Sequence, residues 1–303
     1  MPDFPAGPGP AVYNTAASPA RHVRLSPGLY FVATPIGAAR DITLRGLDIL
    51  LSADVIAAED TRTARKLMDL HGVPLGDRPL IAYHDHNGPA QRPRLLAALG
   101  DGKSVAYVSE AGTPLVADPG YQLGRAAIED GVSVMAAPGP SAALAALTVS
   151  GLPSDRFLFA GFPPGPGAAQ KRFLEGLKEI DATLVLYESP KRVHRLLDVL
   201  DHVLGADRQI ALCRELTKRF EEVIRGTITS VQEAIADRVL KGEIVLVIGR
   251  GQPVQASAEE IETALRAALK TLRVRDAATE VAEALGLPRR VVYQAALKLG
   301  DDG

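Results

Sequence analysis

From residue 28 onward, short runs rich in β-branched and aromatic residues alternate with stretches of helical apolar periodicity. Strands are predicted over 29–33, 54–58, 80–83, 104–108 and 133–136, with helices between them over 43–51, 61–71 and 120–130. Such alternation implies an α/β domain with a largely parallel sheet, whose ligands bind at the carboxyl ends of the strands. A helix opening near Ser141 ends at Gly151, and Gly151-Leu152-Pro153-Ser154-Asp155 reads as a linker. A second α/β unit follows, with strands over 157–161, 183–188, 209–213, 221–225 and 243–249 and a Pro/Gly loop over 163–167. After Gly251, Ser257-Ala258-Glu259-Glu260 has capping-box spacing, and helices over 276–285 and 289–299 flank the turn Gly286-Leu287-Pro288. The expected organisation is therefore a disordered Pro/Gly/Ala-rich tail (1–27), two α/β domains (28–152 and 153–251), and a small helix-turn-helix-like module (252–303).

Composition narrows this picture in three places. A single cysteine, Cys213, excludes an intramolecular disulfide and most cysteine-rich metal sites, and its apolar neighbours over 210–212 mark it as buried filler. No apolar run approaches the roughly 20 residues that span a bilayer, and the N-terminus lacks the pattern of a signal peptide, so a cytoplasmic protein is expected. The charge is balanced: 10 Lys/Arg against 13 Asp/Glu over 28–152, and 15 against 14 over 153–250. That balance argues against a non-specific nucleic-acid binder, so any RNA contact must come from a local patch.

Three strands of the first unit run straight into loops of small residues and proline: Val32-Ala33-Thr34-Pro35-Ile36-Gly37, Val108-Ser109-Glu110-Ala111-Gly112-Thr113-Pro114 and Ala137-Pro138-Gly139-Pro140-Ser141-Ala142. Small residues let backbone groups approach a ligand closely, and Ser141 is placed to cap the next helix. None of the loops is a P-loop or a GxGxxG fingerprint, so a compact zwitterion fits them better than a phosphate-bearing nucleotide.

These loops, with Asp41-Ile42-Thr43, resemble those of the tetrapyrrole-methylase-like enzymes. Further motifs resemble the branch that methylates the ribose 2′-oxygen of a cytidine, at position 1402 of 16S ribosomal RNA. They are Ala58-Glu59-Asp60-Thr61-Arg62, His84-Asp85-His86-Asn87, Asp118-Pro119-Gly120-Tyr121, Tyr187-Glu188-Ser189-Pro190, Arg214-Glu215-Leu216-Thr217-Lys218 and Lys241-Gly242-Glu243. The resemblance spans about residues 28 to 300; Ala38 and Glu110 stand where the family often has Asn and Asp. It implies two α/β domains with a cleft between them for S-adenosylmethionine, a homodimer, and 16S ribosomal RNA of the small ribosomal subunit as substrate. By position, the cofactor contacts would come from Pro35, Ile36 and Gly37, from Ala111, Gly112, Thr113 and Val116, and from Ser141 and Ala142. Tyr187, Glu188 and Glu243 would close the site from the second domain.

A ribose hydroxyl is a poor nucleophile until its proton is engaged, so a general base is sought near the strand ends. The candidates are Glu59 and Asp60, with a helix N-cap as the alternative for Asp60, and the cluster His84, Asp85 and His86. The two histidines, taken as alternate residues of a strand, share one face, but no third metal ligand is apparent. Candidate phosphate contacts are Arg62, Lys171, Arg172, Lys191, Arg192, Lys218, Arg219, Arg289 and Arg290, with a solvated charged surface as the alternative. Two other functions share these features: a carbon methyltransferase acting on corrin or porphyrin precursors, and a non-enzymatic nucleic-acid-binding regulator. Against the first stand the motifs at 58–62 and 84–87 and the C-terminal module; against the second, the three ligand loops.

Overall fold

In the computed structural model, which describes residues 20–251 and 258–301, the first unit is a doubly covered parallel sheet. It runs β1 (Gly28–Val32), α1 (Leu44–Ser52), β2 (Val55–Ala58), α2 (Thr61–Leu70), β3 (Leu80–Ala82), α3 (Gly88–Gly100), β4 (Ser104–Val108), α4 (Tyr121–Glu129), β5 (Val134–Ala137) and α5 (Ala142–Ser150). The strand order is β3-β2-β4-β1-β5, every pairing parallel. Because side chains alternate across a strand, Tyr30, Val32, Ile56, Ala58 and Val108 pack on one face and Leu29, Phe31, Val55, Ala57 and Tyr107 on the other. That explains why β1, β2 and β4 read as continuous apolar runs. Helix α3 had no counterpart in the sequence pattern, since Pro93 inside it reads as a breaker.

Residues 1–19 of the expected tail, and Ser257 of the expected capping box, lie outside the described residues. Within 20–27 the chain lies along α1: the Arg21 and Val23 backbone N–H groups donate to Asp48 and Ser52 at 2.7 and 2.9 Å.

The second unit contains β6 (Phe157–Gly161), α6 (Ala168–Lys178), β7 (Thr183–Glu188), α7 (Val193–Leu204), β8 (Gln209–Arg214), β9 (Glu222–Thr227), α8 (Ile228–Ile235) and β10 (Ile244–Ile248). Its order is β6-β7-β10-β8-β9, with β6 and β7 parallel and the other pairings antiparallel. Leu184, Leu186, Ile210, Leu212, Leu246 and Ile248 face α7 and α8. The opposite face is filled by a helix from the first unit: Ala143, Ala146 and Leu147 of α5 pack on Val185, Ala211, Cys213, Val245 and Val247. Small residues on both sides bring helix and sheet close. Cys213 is fully buried beneath Ala146, and burial pushes its thiol up to about 12, so it stays protonated and packs as filler.

Helices α9 (Ala258–Ala268), α10 (Val274–Leu285) and α11 (Arg289–Asp301) form a separate three-helix unit around Leu265, Ala278, Val281, Val292 and Ala296. Gly286, in the left-handed conformation at φ 62°, ends α10, and the Leu287 N–H donates back to the Ala282 carbonyl at 2.9 Å. Among the described residues no helix is long and apolar enough to cross a membrane.

The contact between α5 and the second sheet generates a stability prediction. Ala146→Leu adds three carbons where Ala146 is fully buried, and should destabilise the protein by about 1–3 kcal/mol. Equilibrium urea unfolding would show a lower midpoint; an unchanged midpoint would mean that this packing is loose.

Candidate active site

The three small-residue loops are joined into one edge. Thr34 and Gly112 exchange both backbone hydrogen bonds at 2.9 Å, and the Thr113 hydroxyl donates to the Pro140 carbonyl at 2.8 Å. From the second unit, the Thr217 hydroxyl accepts from the Ala38 N–H at 3.0 Å. Gly37 is needed at this junction, because a Cβ there would stand 2.5 Å from both Thr217 and Lys218. Together these elements wall a cleft of about 580 Å³ between the two sheets, within the range of small-molecule sites.

All twelve positions expected to touch a cofactor line this one cleft: Pro35, Ile36, Gly37, Ala111, Gly112, Thr113, Val116, Ser141, Ala142, Tyr187, Glu188 and Glu243. The expectation that Ser141 caps α5 needs correction. Ser141 sits at the N-cap position, but its side chain makes no capping bond. Tyr187 performs that task from β7, its hydroxyl accepting from the Ala143 N–H at 3.1 Å. Burial pushes the Tyr187 hydroxyl up to about 12, so it remains neutral. Phe159 and Phe162 pack edge-on against its ring at 4.8 and 5.4 Å, and Phe162 itself lines the cleft.

The charged groups of the cleft are mostly occupied. Glu188 is buried and accepts from Arg192 at 3.0 Å, while the same guanidinium donates to the Pro163 carbonyl at 2.7 Å. Lys218 bridges Glu215 at 3.0 Å and Glu243 at 2.7 Å. Burial opposes the Lys218 charge, but the two carboxylates outweigh it and raise the ammonium above its ordinary value. Arg192 and Lys218, expected as phosphate contacts, are thus engaged with loops and carboxylates of the protein itself.

The base candidates separate. Glu59 lines the cleft and accepts from the Glu110 N–H at 3.0 Å. Asp60 does not line it: its carboxylate caps α2, accepting from the Arg62 and Thr63 N–H groups, and pairs with the Arg62 guanidinium at 2.8 Å. The hydrogen bond from the Arg62 side chain is the main reason that Asp60 is held down at about 2, which makes it a poor proton acceptor. His84, Asp85 and His86 are likewise outside the cleft, and they are not on a strand. β3 ends at Ala82 because the Asn87 side chain accepts from the His84 N–H and donates to the Ala82 carbonyl, closing a turn into α3. Sequence reasoning assigned no role to Asp118. It lines the cleft, and burial, then the neighbouring Glu59 charge, push its carboxyl up to about 7. Its only advance signal was its place in Asp118-Pro119-Gly120-Tyr121, later in the same loop as Gly112.

Of the remaining basic candidates, Arg62, Lys171, Arg172, Lys191, Arg219, Arg289 and Arg290 are exposed. Arg62 is engaged by Asp60, Lys171 lies 3.8 Å from Glu175, and Arg219 stacks over the Phe220 ring. Arg289 and Arg290 open α11.

The cleft fits a compact cationic zwitterion. Ile36, Ala111, Val116 and Ala142 give it an apolar lining, and Glu59, Glu110 and Asp118 line it as well. Comparison with known proteins agrees with this chemistry. Residues 28–232 match the family model for Tetrapyrrole (Corrin/Porphyrin) Methylases, and residues 255–300 match that for the RsmI C-terminal HTH domain. The chain is 47% identical to a protein of Mesorhizobium japonicum named ribosomal RNA small subunit methyltransferase I, over 91% of this chain and 94% of that one. It is 41% identical to a protein of the same name from Mycobacterium tuberculosis, over 88% and 93%. Among solved structures, a diphthine synthase superposes with a TM-score of 0.57 at 17% identity (73% of this chain, 89% of that one). A cobalt precorrin-4 methyltransferase superposes with 0.55 at 18% identity (73% and 94%), a likeness of fold alone. The chain belongs to the tetrapyrrole (corrin/porphyrin) methylase family, alongside relatives named ribosomal RNA small subunit methyltransferase I.

Proposed function

We propose that this protein transfers a methyl group from S-adenosylmethionine to the ribose 2′-oxygen of a cytidine in 16S ribosomal RNA of the small subunit. One observation carries the reading: a methylase cleft and a C-terminal helix-turn-helix unit occur in one chain, and relatives named for small-subunit ribosomal RNA match nearly its whole length. The cofactor supplies a methyl group already activated by a positive sulfonium. Backbone groups of 35–37, 111–113 and 141–142 would hold it, with Ile36, Val116 and Val245 as apolar walls. The protein's main contribution is then alignment of the acceptor oxygen, which can supply a large part of the rate.

RNA would be positioned by exposed cations. Lys171, Arg172, Lys191 and Arg219 belong to the second unit, and Arg289 and Arg290 stand where a recognition helix meets its target. Phosphate contacts orient without specifying, so selection of one cytidine falls to base contacts and RNA shape. The reading includes a cytoplasmic homodimer acting on an assembled subunit.

Three measurements test it. Labelled S-adenosylmethionine should label small subunits from cells lacking this protein at a single ribose-methylated cytidine. Labelling of precursor tetrapyrroles instead would shift the assignment to a carbon methyltransferase. Arg289→Glu with Arg290→Glu should weaken subunit binding and flatten its salt dependence by roughly two ion equivalents, with cofactor affinity intact. An unchanged salt slope would remove the module from the RNA interface. In sedimentation velocity the chain should run at twice its own mass; a monomer would end the dimer reading.

A further inference from the structure

If the substrate is a ribose hydroxyl, some group must take its proton, and the cleft narrows the choice. Among the described residues five carboxylates line it: Glu59, Glu110, Asp118, Glu188 and Glu243. Glu188 is committed to Arg192 and the Ser189 N–H, and Glu243 to Lys218. Glu59 receives the Glu110 N–H, and Glu110 is exposed on the rim beside the Arg62 charge. Asp118 differs in having no cation against it among the described residues: its neighbours are the carboxylates Glu59 and Glu110 and the hydroxyl of Ser109.

The backbone is shaped to put Asp118 there. The segment from β4 to α4 passes through left-handed conformations at Leu115 (φ 73°) and Ala117 (φ 62°), which residues with side chains rarely adopt. Such conformations persist where the surroundings over-determine them, and they concentrate at functional sites. Here the far end is pinned by Tyr107, whose hydroxyl donates to the Pro119 carbonyl at 3.0 Å. At Gly120 (φ 122°) a Cβ would press on Leu115, Tyr107 and Phe31 at 3.0–3.3 Å. The residue held between Ala117 and Pro119 is Asp118.

We propose, resting on the function assigned above, that Asp118 is the catalytic residue that accepts the 2′-hydroxyl proton. As that proton moves to the carboxylate, the oxygen's electron pair forms the new bond to the methyl carbon. The carbon–sulfur bond breaks with its pair remaining on sulfur, which becomes neutral, and Asp118 then returns its proton to solvent. Ser109 is built to follow this cycle. It is buried, and its hydroxyl lies within reach of both Asp118 and the Gly112 carbonyl, to which it donates at 3.2 Å. It can donate to an ionised Asp118, or accept from a protonated one while donating to Gly112. Among the described residues, the groups facing Asp118 are Glu59 just after β2, Glu110 and Tyr107 from the β4 segment and Tyr187 from β7. Burial first, and then the carboxylates among them, disfavour its ionised form, which makes it the stronger base.

The test uses the full-length protein and small subunits that lack the modification. Asp118→Asn keeps the shape and should lower single-turnover methyl transfer at saturating cofactor by about 100-fold or more, a loss larger than any change in cofactor affinity read by calorimetry. In the wild type the rate should rise with pH through about 7 and then level, because the base must be ionised to act. Glu59→Gln, by removing a neighbouring negative charge, should move that break to lower pH. Independently of turnover, carbon NMR of carboxyl-labelled aspartate should show one resonance titrating near neutrality that is missing in Asp118→Asn. Near-wild-type transfer by Asp118→Asn would overturn the assignment, as would a pH break that survives in it. Loss of transfer in Glu59→Gln alone would move the role to Glu59. Wild-type protein that binds the cofactor but never labels the subunits would overturn the RNA reading, and this assignment with it.

Discussion

Everything in the cleft depends on α5 belonging to two sheets at once. It follows β5 in the first unit, yet its buried face packs on the second sheet. The second sheet's inner face would otherwise expose Val185, Ala211, Cys213, Val245 and Val247, an apolar area that needs a covering layer. The residues of α5 suit this position because most of them are apolar and its contact face is small. Burial of that face fixes the loop before α5, and with it the third wall of the site. Tyr187 completes the arrangement by capping the same helix from the opposite side. Cofactor loop, helix and second domain thus form one mechanical unit.

A second constraint is charge. A cleft with five carboxylates would be unstable if all of them were uncompensated, since like charges in a partly dry site raise one another's pKa. The second domain compensates its own two, Glu188 through Arg192 and Glu243 through Lys218. The first domain leaves Glu59, Glu110 and Asp118 together, which favours a cationic ligand and, with burial, disfavours ionisation of Asp118. One distribution of charge accordingly suits both the binding of a sulfonium compound and the presence of a base near neutrality.

The strands and the three loops were legible because they rest on local signals: continuous apolar runs, and Gly/Pro at the strand ends. Their convergence followed from the rule that open α/β sheets bind ligands at the carboxyl edge. What escaped was non-local. α3 was hidden by Pro93, whose cost is absorbed by burial of Leu95 and Leu99. Ser141 carried the right residue for a cap, but a tyrosine 46 positions later took the bond. His84, Asp85 and His86 suggested chemistry by residue type, while a single asparagine side chain turned them away from the strand. Asp118 had no distinctive spacing; what sets it apart is burial beside Glu59 and Glu110, which contacts between separate strand ends create.

The balanced overall charge takes on a meaning once the cations are sorted by partner. Arg192 and Lys218 are spent inside the protein, and Arg62 and Lys171 face carboxylates on their own helices or caps. Of the nine candidate cations, Arg172, Lys191, Arg219, Arg289 and Arg290 stay exposed with no ion pair among the described residues, and a phosphate footprint confined to these five would bind RNA in general only weakly. On the reading proposed above, an enzyme with a footprint of that size would gain its selectivity from fit at the cleft and from the shape of the RNA. Random encounters with other RNA would then be short-lived, and methyl transfer would be confined to the site where ribose, cofactor and base meet.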